Sequence, residues 1–442
     1  MMDSNVDNLR PGNASRRDFL KLSVAGTLGA GIPSTLALAR SAYAAGSDVI
    51  RLALIGCGGR GTGAAVQALQ NKATKGVKLV AMADAFQDRL EGALKRIQTR
   101  CGDQVDVPPE RRFVGFDCHE KAIEAGVDMV LLCTPPGFRP MQFEAAVKAG
   151  KHVFMEKPVA VDAPGVRRIL AANEEAKRRG LVVGVGLNIR HQKGTLEIVR
   201  RVHEGVLGPI HFLRAYCNNA GVWVRRREPQ QTEMEYQMRN WYYFNWLCGD
   251  HIVEQHVHAL DLVNWLAGAV PVRANGMGGR QVRVGPEYGE IYDHHFVEFE
   301  YPDGVRMFSQ CRHIPGCWNT FGGIAHGTQG YADGTQGIRL AGKEPLQFER
   351  GEDGHQVEHD DLFAALLAGR DYNEGDYGAQ STMTAILGRM ATYSGKVVTW
   401  DEALSSNLSL APETLAWDAK PPVTPAPDGL YPCAIPGVSR AW

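Results

Sequence analysis

The segment VIRLALIGCGGRGTGAAVQAL, residues 49–69, decides the fold of the amino-terminal half of the chain. A short apolar run, typical of a buried parallel strand, passes through Gly56, Gly58 and Gly61 into a helical pattern. In a G-x-G-x-x-G sequence at such a junction, the first glycine permits a tight turn and the second lets the backbone approach a pyrophosphate. The third lets helix and strand pack closely. The segment therefore predicts a dinucleotide site that includes Gly59 and Arg60, rather than a plain glycine-rich turn.

The second strand, VKLVAMAD at residues 77–84, bears on the choice of cofactor. It ends in Asp84, whose carboxylate would accept hydrogen bonds from the adenosine ribose hydroxyls and would repel a 2′-phosphate. The sequence therefore favours NAD over NADP. Arg60 argues the other way, because a guanidinium in the glycine loop could reach a 2′-phosphate.

Three further strands, VDMVLLCTPP, KHVFMEKP and LVVGVG, alternate with helical patterns, which is typical of a doubly wound parallel sheet. Thr134 and Pro135 follow the first of these strands, and Glu156 and Lys157 follow the second. Ligands bind at the carboxyl ends of such strands, so we expect these four residues to contact the cofactor. The structural alternative is that the proline only terminates the strand and that the lysine is solvated.

The composition of the 442-residue chain is that of a soluble globular protein long enough for two domains. The formal net charge is −1, so nothing in the composition indicates nucleic acid or an anionic membrane surface as a partner. The nine cysteines include no CxxC pair, so we expect mostly free thiols.

Residues 1–45 have the order of a signal peptide. The charged segment SRRDFLK precedes a weakly apolar stretch and the small-x-small sequence Ala42-Tyr43-Ala44, and the adjacent Arg16 and Arg17 indicate the twin-arginine route. A membrane anchor or a chance basic pair is the alternative, but the apolar stretch is too weak for a good span. We therefore expect a periplasmic protein without stable membrane insertion after processing. Because this route carries folded proteins, we also expect tightly bound NAD.

The segment GDHIVEQHVHALD, residues 249–261, is rich in titratable groups. At ~100° per residue of a continuous helix, His251, Glu254, His258 and Asp261 fall within an arc of about 80°, whereas His256 lies elsewhere and is expected to tolerate substitution. Three interpretations are open: an acid/base site, a metal site with His251, Glu254 and His258 as ligands, or a solvated helix face. The absence of an HExxH sequence favours the acid/base site, and no metal is expected.

Several of these segments together resemble one family. ALIGCGGRG, CTPP, GKHVFMEKPVA and the later LGRMATYSGKVVTWDEAL are similar to the glucose–fructose oxidoreductase/inositol dehydrogenase/rhizopine-catabolism (Gfo/Idh/MocA) family over roughly residues 48–400. The resemblance implies the fold class α/β, with an NAD-binding Rossmann-like domain at 48–186. A substrate-binding α/β domain with an open, mostly antiparallel sheet would follow at 187–404. Residues 405–442 are Pro-rich and read as an extended tail outside the family pattern. Analogy with the family also implies a homo-oligomer, a dimer or a tetramer.

The resemblance also implies catalytic residues. In the family, the lysine of EKP works with an aspartate and a histidine spaced D-x-x-x-H; Lys157 and His258 match, and Glu254, one methylene longer, occupies the aspartate position. We expect neutral His258 to take the hydroxyl proton of a carbinol during hydride transfer, with Glu254 orienting its ring and Lys157 polarising the oxygen. Candidate substrate contacts are His251, Asn188, Arg190, His191, Trp241 and Tyr243, although the two aromatic residues are equally compatible with a core position.

The sequence therefore predicts an exported NAD(P)-dependent oxidoreductase that acts on a sugar, polyol or glycoside. One alternative is an NAD-dependent glycoside hydrolase that uses transient oxidation, elimination and re-reduction. A second alternative is a non-catalytic sugar-binding protein, which the presence of all three catalytic residue types disfavours.

Overall fold

Residues 49–442 are described by the computed structural model, and the predicted signal segment lies outside them. A first sheet contains six strands, all parallel, in the order β3-β2-β1-β4-β5-β6. Its strands are β1 Ile50–Ile55, β2 Val77–Asp84, β3 Arg112–Val114, β4 Met129–Leu132, β5 His152–Met155 and β6 Val183–Val185. The helices of this half are α1 Gly59–Leu69, α2 Gln87–Cys101, α3 Cys118–Glu124, α4 Arg139–Lys148 and α5 Ala163–Arg178. The strand order reverses between β1 and β4, which places a ligand crevice at their carboxyl ends.

A second, eight-stranded sheet has the order β13-β12-β11-β7-β10-β9-β8-β14 and is mixed, because β10 pairs in parallel with β7 while the other pairs are antiparallel. Its strands are β7 Ile210–Asn219, β8 Arg273–Gly279, β9 His294–Glu300, β10 Arg306–His313, β11 Thr320–Gly327, β12 Gly330–Asp333, β13 Gly337–Leu340 and β14 Val398–Thr399. The predicted fold class, a doubly wound parallel sheet joined to a mostly antiparallel one, is confirmed.

The helices of this half are α6 Lys193–His203, α7 Glu233–Arg239, α8 Asn245–Cys248, α9 His251–Glu254, α10 Val257–Ala267, α11 Gly354–Leu367, α12 Gly375–Ser394 and α13 Trp400–Ser405. Two of these helices, α10 and α12, make the main helix contacts with one face of the second sheet. Strand β10 alternates strictly, so that Met307, Ser309, Cys311 and His313 face the helices and are buried. The opposite face carries exposed apolar side chains, among them Met277 and Phe296. No helix within residues 49–442 is both long enough and apolar enough to span a membrane.

The segment expected to form one continuous helix is interrupted. α9 ends at Glu254 and α10 begins at Val257, and between them the amide of His256 bonds to the carbonyl of His251, five residues back. This π-type step changes the angular position of everything that follows it. The single arc predicted from 100° per residue is therefore wrong.

Residues 406–442 form no helix or strand and run along both halves of the protein. The amide of Leu410 donates to Asp162 at 2.8 Å, next to the first sheet, and Gln237 donates to the carbonyl of Val423 at 2.7 Å. Near its end, Gly437 donates to the carbonyl of Ser394 at 2.7 Å. The tail thus fastens the two halves to each other.

Candidate active site

The glycine loop between β1 and α1 has one crowded side and one open side. Gly56 has φ +99°, and a Cβ there would lie 2.5 Å from the backbone of Cys133 on the next strand. A Cβ on Gly61 would overlap the carbonyl oxygen of Gly56, whereas at Gly58 and Gly59 it would meet nothing within 4 Å. Because α1 begins at Gly59, its free amides lie beside this open surface. The loop therefore fits a bound pyrophosphate.

Asp84 holds the glycine loop in place. Its carboxylate accepts hydrogen bonds from the amide of Cys57 at 2.6 Å and from that of Phe86 at 2.9 Å. Burial raises the pKa of Asp84, and these two amides act against the shift. The carboxylate thus lies at the carboxyl end of β2, next to the glycine loop.

Arg60 points away from that end of the loop. Its Nε lies 2.8 Å from Oε1 of Glu156, which follows β5, and its Nη2 donates to Gln67. A 2′-phosphate could recruit this guanidinium only by breaking the ion pair with Glu156. The geometry therefore weakens the argument for NADP that the sequence left open.

The two loops after β4 and β5 are tied together by a buried arginine. Arg139 donates both to the carbonyl of Thr134 and to that of Pro158. Thr134 itself donates to Gln142 at 2.6 Å, and the Lys157–Pro158 peptide is cis. These contacts set the backbone on which Pro135, Glu156 and Lys157 stand at the edge of the crevice.

Lys157 joins the first sheet to the helices of the second. Its Nζ donates to the backbone carbonyl of Glu254 at 2.7 Å and lies 3.2 Å from the Glu254 carboxylate. The Lys157 and Glu254 side chains are 12% and 11% exposed. The pair therefore lies at the junction of the two halves with little solvent around it.

His258 lies beyond the helix interruption and is neutral. Burial, reinforced by the positive charge of Lys157, holds its pKa well below the usual value, and its buried Nδ1 has no hydrogen-bond partner. Among the described contacts, the Glu254 carboxylate bonds to Lys157 and not to His258. The expectation that Glu254 orients the His258 ring is therefore wrong; Glu254 is the counter-ion of Lys157.

His251, predicted on the same face as Glu254 and His258, is buried elsewhere. Its ring stacks on His313 with a centroid separation of 4.3 Å and meets His295 edge-on at 4.9 Å. His256, which was expected to tolerate substitution, is fully buried and hydrogen-bonds to Ser309 at 2.7 Å. The burial of His256 follows from the interruption. His251 precedes the interruption, in the same helix as Glu254, and its position follows from His295 and His313, which lie against the start of α9.

Arg190 is engaged inside the protein. It binds Asp261 through Nε and Nη2 at 2.8–3.1 Å, and its guanidinium lies 4.0 Å from the ring centre of Tyr377. The short 3₁₀ turn Asn188–His191 thus directs this side chain towards α10 and α12 rather than into an open cleft. A substrate contact by Arg190 would require this buried pair to open.

The neighbours of Arg190 are also occupied. Asn188 contacts the ring of His355 at 2.9 Å, and His191 lies between Asp361 at 2.8 Å and Glu374 at 3.2 Å. Burial alone would lower the pKa of His191, but the two carboxylates overcome it and raise the pKa to about 10. His191 is therefore a buried cation.

The aromatic segment before the histidines divides into core and surface. Tyr243 is fully buried and donates to the carbonyl of Trp223 at 3.0 Å, so it is a core residue. Trp241 is partly exposed and packs edge-on against Trp223, which is 41% exposed. The two indoles form a partly exposed aromatic surface, and Trp223 was not predicted from the sequence.

Sequence analysis missed the partners of His251. Asp250 precedes His251 in the same segment, His295 and His313 come from β9 and β10, and all three are buried. The sequence signal for the two histidines is a polar residue at an inward position of an apolar strand, in YDHHFVEF and SQCRHI.

Two family models match the chain: "Oxidoreductase family, NAD-binding Rossmann fold" over residues 50–187 and "GFO/IDH/MocA C-terminal domain" over residues 195–332. The chain is 28% identical over 268 residues to an inositol 2-dehydrogenase of Cereibacter sphaeroides, which covers 60% of this chain and 68% of the relative.

Two solved structures have the same fold. An aldose-aldose oxidoreductase of Caulobacter crescentus, complexed with glycerol, superposes with a TM-score of 0.62 at 21% identity over 79% of this chain and 99% of its own. GenD2 from gentamicin A biosynthesis, in complex with NAD, gives 0.59 at 19% identity over 80% and 97%.

Proposed function

Because the chain belongs to the Gfo/Idh/MocA family of oxidoreductases, we propose that it oxidises or reduces a carbinol carbon of a sugar, polyol or glycoside with NAD. The observation that carries the proposal is the Lys157–Glu254 pair at the carboxyl edge of the first sheet, with His258 near enough for the charge of Lys157 to lower its pKa. The similarity to an inositol 2-dehydrogenase supports a polyhydroxylated substrate.

The chemistry follows from the protonation states of two side chains. Nicotinamide, when bound, supplies the hydride acceptor or donor. His258 is neutral and accepts the hydroxyl proton, while Lys157 stabilises the developing negative charge on the same oxygen. Glu254 holds the Lys157 ammonium in position through its carbonyl and its carboxylate.

Substrate screening with a mass balance tests this reaction. Sugars and inositols are incubated with the protein and added NAD, and both NADH formation and carbonyl products are measured. Net NADH formation supports the dehydrogenase. Release of an aglycone without net redox change would instead support the NAD-dependent hydrolase, and saturable binding without turnover would support the sugar-binding protein.

The cofactor is proposed to be NAD rather than NADP, on the support of Asp84 beside the loop and of the Arg60–Glu156 pair. Fluorescence titration with NADH and NADPH tests this preference directly. We expect Asp84→Ser to narrow the difference between the two nucleotides. Tighter binding of NADPH to the unaltered protein would overturn the assignment.

Tight retention of the nucleotide is supported by the tail. Trp417 packs against Phe86 and Phe116, with ring centroids at 5.1 and 4.6 Å. Phe86 lies two residues beyond Asp84, and Gly115, just before Phe116, donates to the Asp84 carbonyl. The tail thus covers the adenosine end of the crevice. Denaturation of the purified protein, followed by mass spectrometry of the released nucleotide, should yield NAD.

Export by the twin-arginine route and a periplasmic location are also proposed, on the support of SRRDFLK and Ala42-Tyr43-Ala44. Arg16→Lys combined with Arg17→Lys should leave the protein in the cytoplasm with the segment uncleaved. Unchanged periplasmic recovery would contradict the proposal.

A homo-oligomer formed through the open face of the second sheet is the proposed assembly. Exposed Met277 and Phe296, which lie directly opposite each other on the open face of the sheet, support it, since adjacent exposed apolar side chains suit an interface. Light scattering after size exclusion should give a dimer or tetramer, and Phe296→Glu should shift it towards the monomer. A monomeric unaltered protein would contradict this assembly.

A further inference from the structure

A buried carboxylate and two buried imidazoles converge at the start of α9. They are Asp250, His251 and His295, and one potential ligand atom from each lies within 4.8 Å of the other two. Oδ1 of Asp250 is 3.2 Å from Nε2 of His295 and 3.8 Å from Nε2 of His251. The cluster lies one helical turn before Glu254 but shares no residue with the proposed acid/base site.

Asp250 is held in this position by its backbone and by its neighbours. It has φ +74°, the one positive φ among the non-glycine residues of 49–442. Oδ2 accepts hydrogen bonds from the hydroxyl of Tyr393 at 2.5 Å and from the amide of Tyr292 at 3.0 Å. Strained backbone of this kind is found where the surrounding structure fixes a functional side chain. The remaining oxygen, Oδ1, accepts a hydrogen bond from the amide of His251 and faces the imidazoles of His251 and His295.

The tautomer of His295 follows from Thr392. The Thr392 hydroxyl lies 3.2 and 3.1 Å from the carbonyls of Gly388 and Arg389 on its own helix, so its proton is directed there. It must then accept the hydrogen bond from Nδ1 of His295 at 2.9 Å. In neutral His295 this leaves Nε2 as a lone pair facing the Asp250 carboxylate.

His251 adds a third unsatisfied group. Both of its ring nitrogens and Nε2 of His295 are buried without a hydrogen-bond partner. A carboxylate oxygen and imidazole lone pairs that face one another repel unless a cation lies between them.

We propose that Asp250, His251 and His295 bind a divalent transition-metal ion, with zinc as the best chemical match. Two imidazoles and one carboxylate form a typical zinc set, and bonds of about 2.0–2.2 Å in tetrahedral geometry separate ligand atoms by about 3.3 Å. The separations of 3.2 and 3.8 Å are close to that spacing. Thr392 on His295 and Tyr393 on Asp250 supply the outer hydrogen bonds that such ligands require. A water molecule would complete the fourth position.

The ion would link the start of α9 to β9. Because Glu254 is the last residue of the same four-residue helix, the link fixes the carboxylate that pairs with Lys157. The metal is therefore a positioning device and is not the group that takes the substrate proton. This inference does not depend on the nature of the substrate.

Metal analysis of the purified, dialysed full chain tests the proposal. We expect about one equivalent of zinc, and after exchange with Co²⁺ we expect the visible d–d absorption of a tetrahedral site. His251→Gln and His295→Gln should each weaken Co²⁺ binding more than about 100-fold. The matched control is His256→Gln, a buried histidine of the same segment that bonds to Ser309, and it should keep the metal.

Two results would overturn the assignment. One is protein that binds neither Zn²⁺ nor Co²⁺ and whose unfolding temperature Zn²⁺ does not raise, which would make His295 a protonated partner of Asp250. The other is equal loss of metal from His256→Gln and from the two ligand variants. If a ligand variant does not fold, the effect of Zn²⁺ on the unfolding temperature of the unaltered chain decides the question.

Discussion

The pair formed by Lys157 and Glu254 gives the sharpest quantitative test of the site. We consider Lys157→Met, Glu254→Gln and the double variant. At a separation of 3.2 Å, two unit charges attract by about 5 kcal/mol at an effective dielectric constant of about 20. With side chains 12% and 11% exposed, little of this is lost to solvent screening. Removing one partner of such a pair costs about 3–5 kcal/mol, because the other charge stays buried without compensation.

The double variant should therefore be much less destabilised than the sum of the single variants. We expect a coupling free energy of about 2–3 kcal/mol. The hydrogen bond from Lys157 to the carbonyl of Glu254 is lost whenever Lys157 is replaced, so it cancels from the cycle. Each free energy of unfolding is measured by urea titration of nucleotide-free protein, followed by circular dichroism.

The reasoning would be refuted by single-variant losses below about 1 kcal/mol that add up in the double variant, since that is the behaviour of a solvated surface pair. Measurement of the turnover rate provides a second test with the same variants. Lys157→Met should lose more activity than Glu254→Gln, because only the former removes the cation that stabilises the substrate oxygen.

Four further outcomes are expected. His258→Ala should lose on the order of 10²–10⁴ in rate while nucleotide fluorescence shows unchanged NAD binding; wild-type activity would contradict its role as base. Burial lowers the pKa of His256 to about 3. Between about pH 6.5 and 3 the unfolded chain therefore binds a proton at His256 and the folded protein does not. The free energy of unfolding should fall by about 1.4 kcal/mol for each pH unit as the pH decreases through this range. The pKa of His191 is raised to about 10, so its stabilising contribution is complete below about pH 6.5 and is lost as the pH rises towards 10. Urea titrations at a series of pH values should show both pH dependences. Replacement of either histidine by glutamine should abolish the pH dependence that this histidine causes. Trp417→Ala should release NAD roughly tenfold faster in a stopped-flow displacement assay, and Ile435→Ala, at an exposed tail position, should not.

The nucleotide half could be predicted because its sequence signals act over short distances. Gly56 and Gly61 are required by backbone contacts within one strand–turn–helix unit, and Asp84 reaches Cys57 across neighbouring strands. Such contacts follow from the strand–helix alternation itself. Only the family resemblance implied that Lys157 and Glu254, which are far apart in the chain, belong to one site, and their ion pair was not predicted.

The histidine segment shows where this reasoning stops. Angular spacing assumes an unbroken helix, and one π-type step at His256 displaces His258 relative to His251 and Glu254, which precede it. What His251 meets depends on the register of β9, which places His295 opposite Cys311. No periodicity within the segment contains that information. The same limit applies to Arg190, whose partner Asp261 belongs to another element.

The tail also determines which contacts can form before synthesis of the chain has ended. Residues 405–442 leave the ribosome after every segment they contact, so Trp417 can close on Phe86 and Phe116 only when synthesis of the rest is finished. On the proposal that the tail covers the bound nucleotide, the adenosine end of the crevice stays open until then. A nucleotide that arrives after the tail has docked would have to wait for the tail to lift. Loading during biosynthesis would therefore be fast, and exchange in the finished protein would be slow.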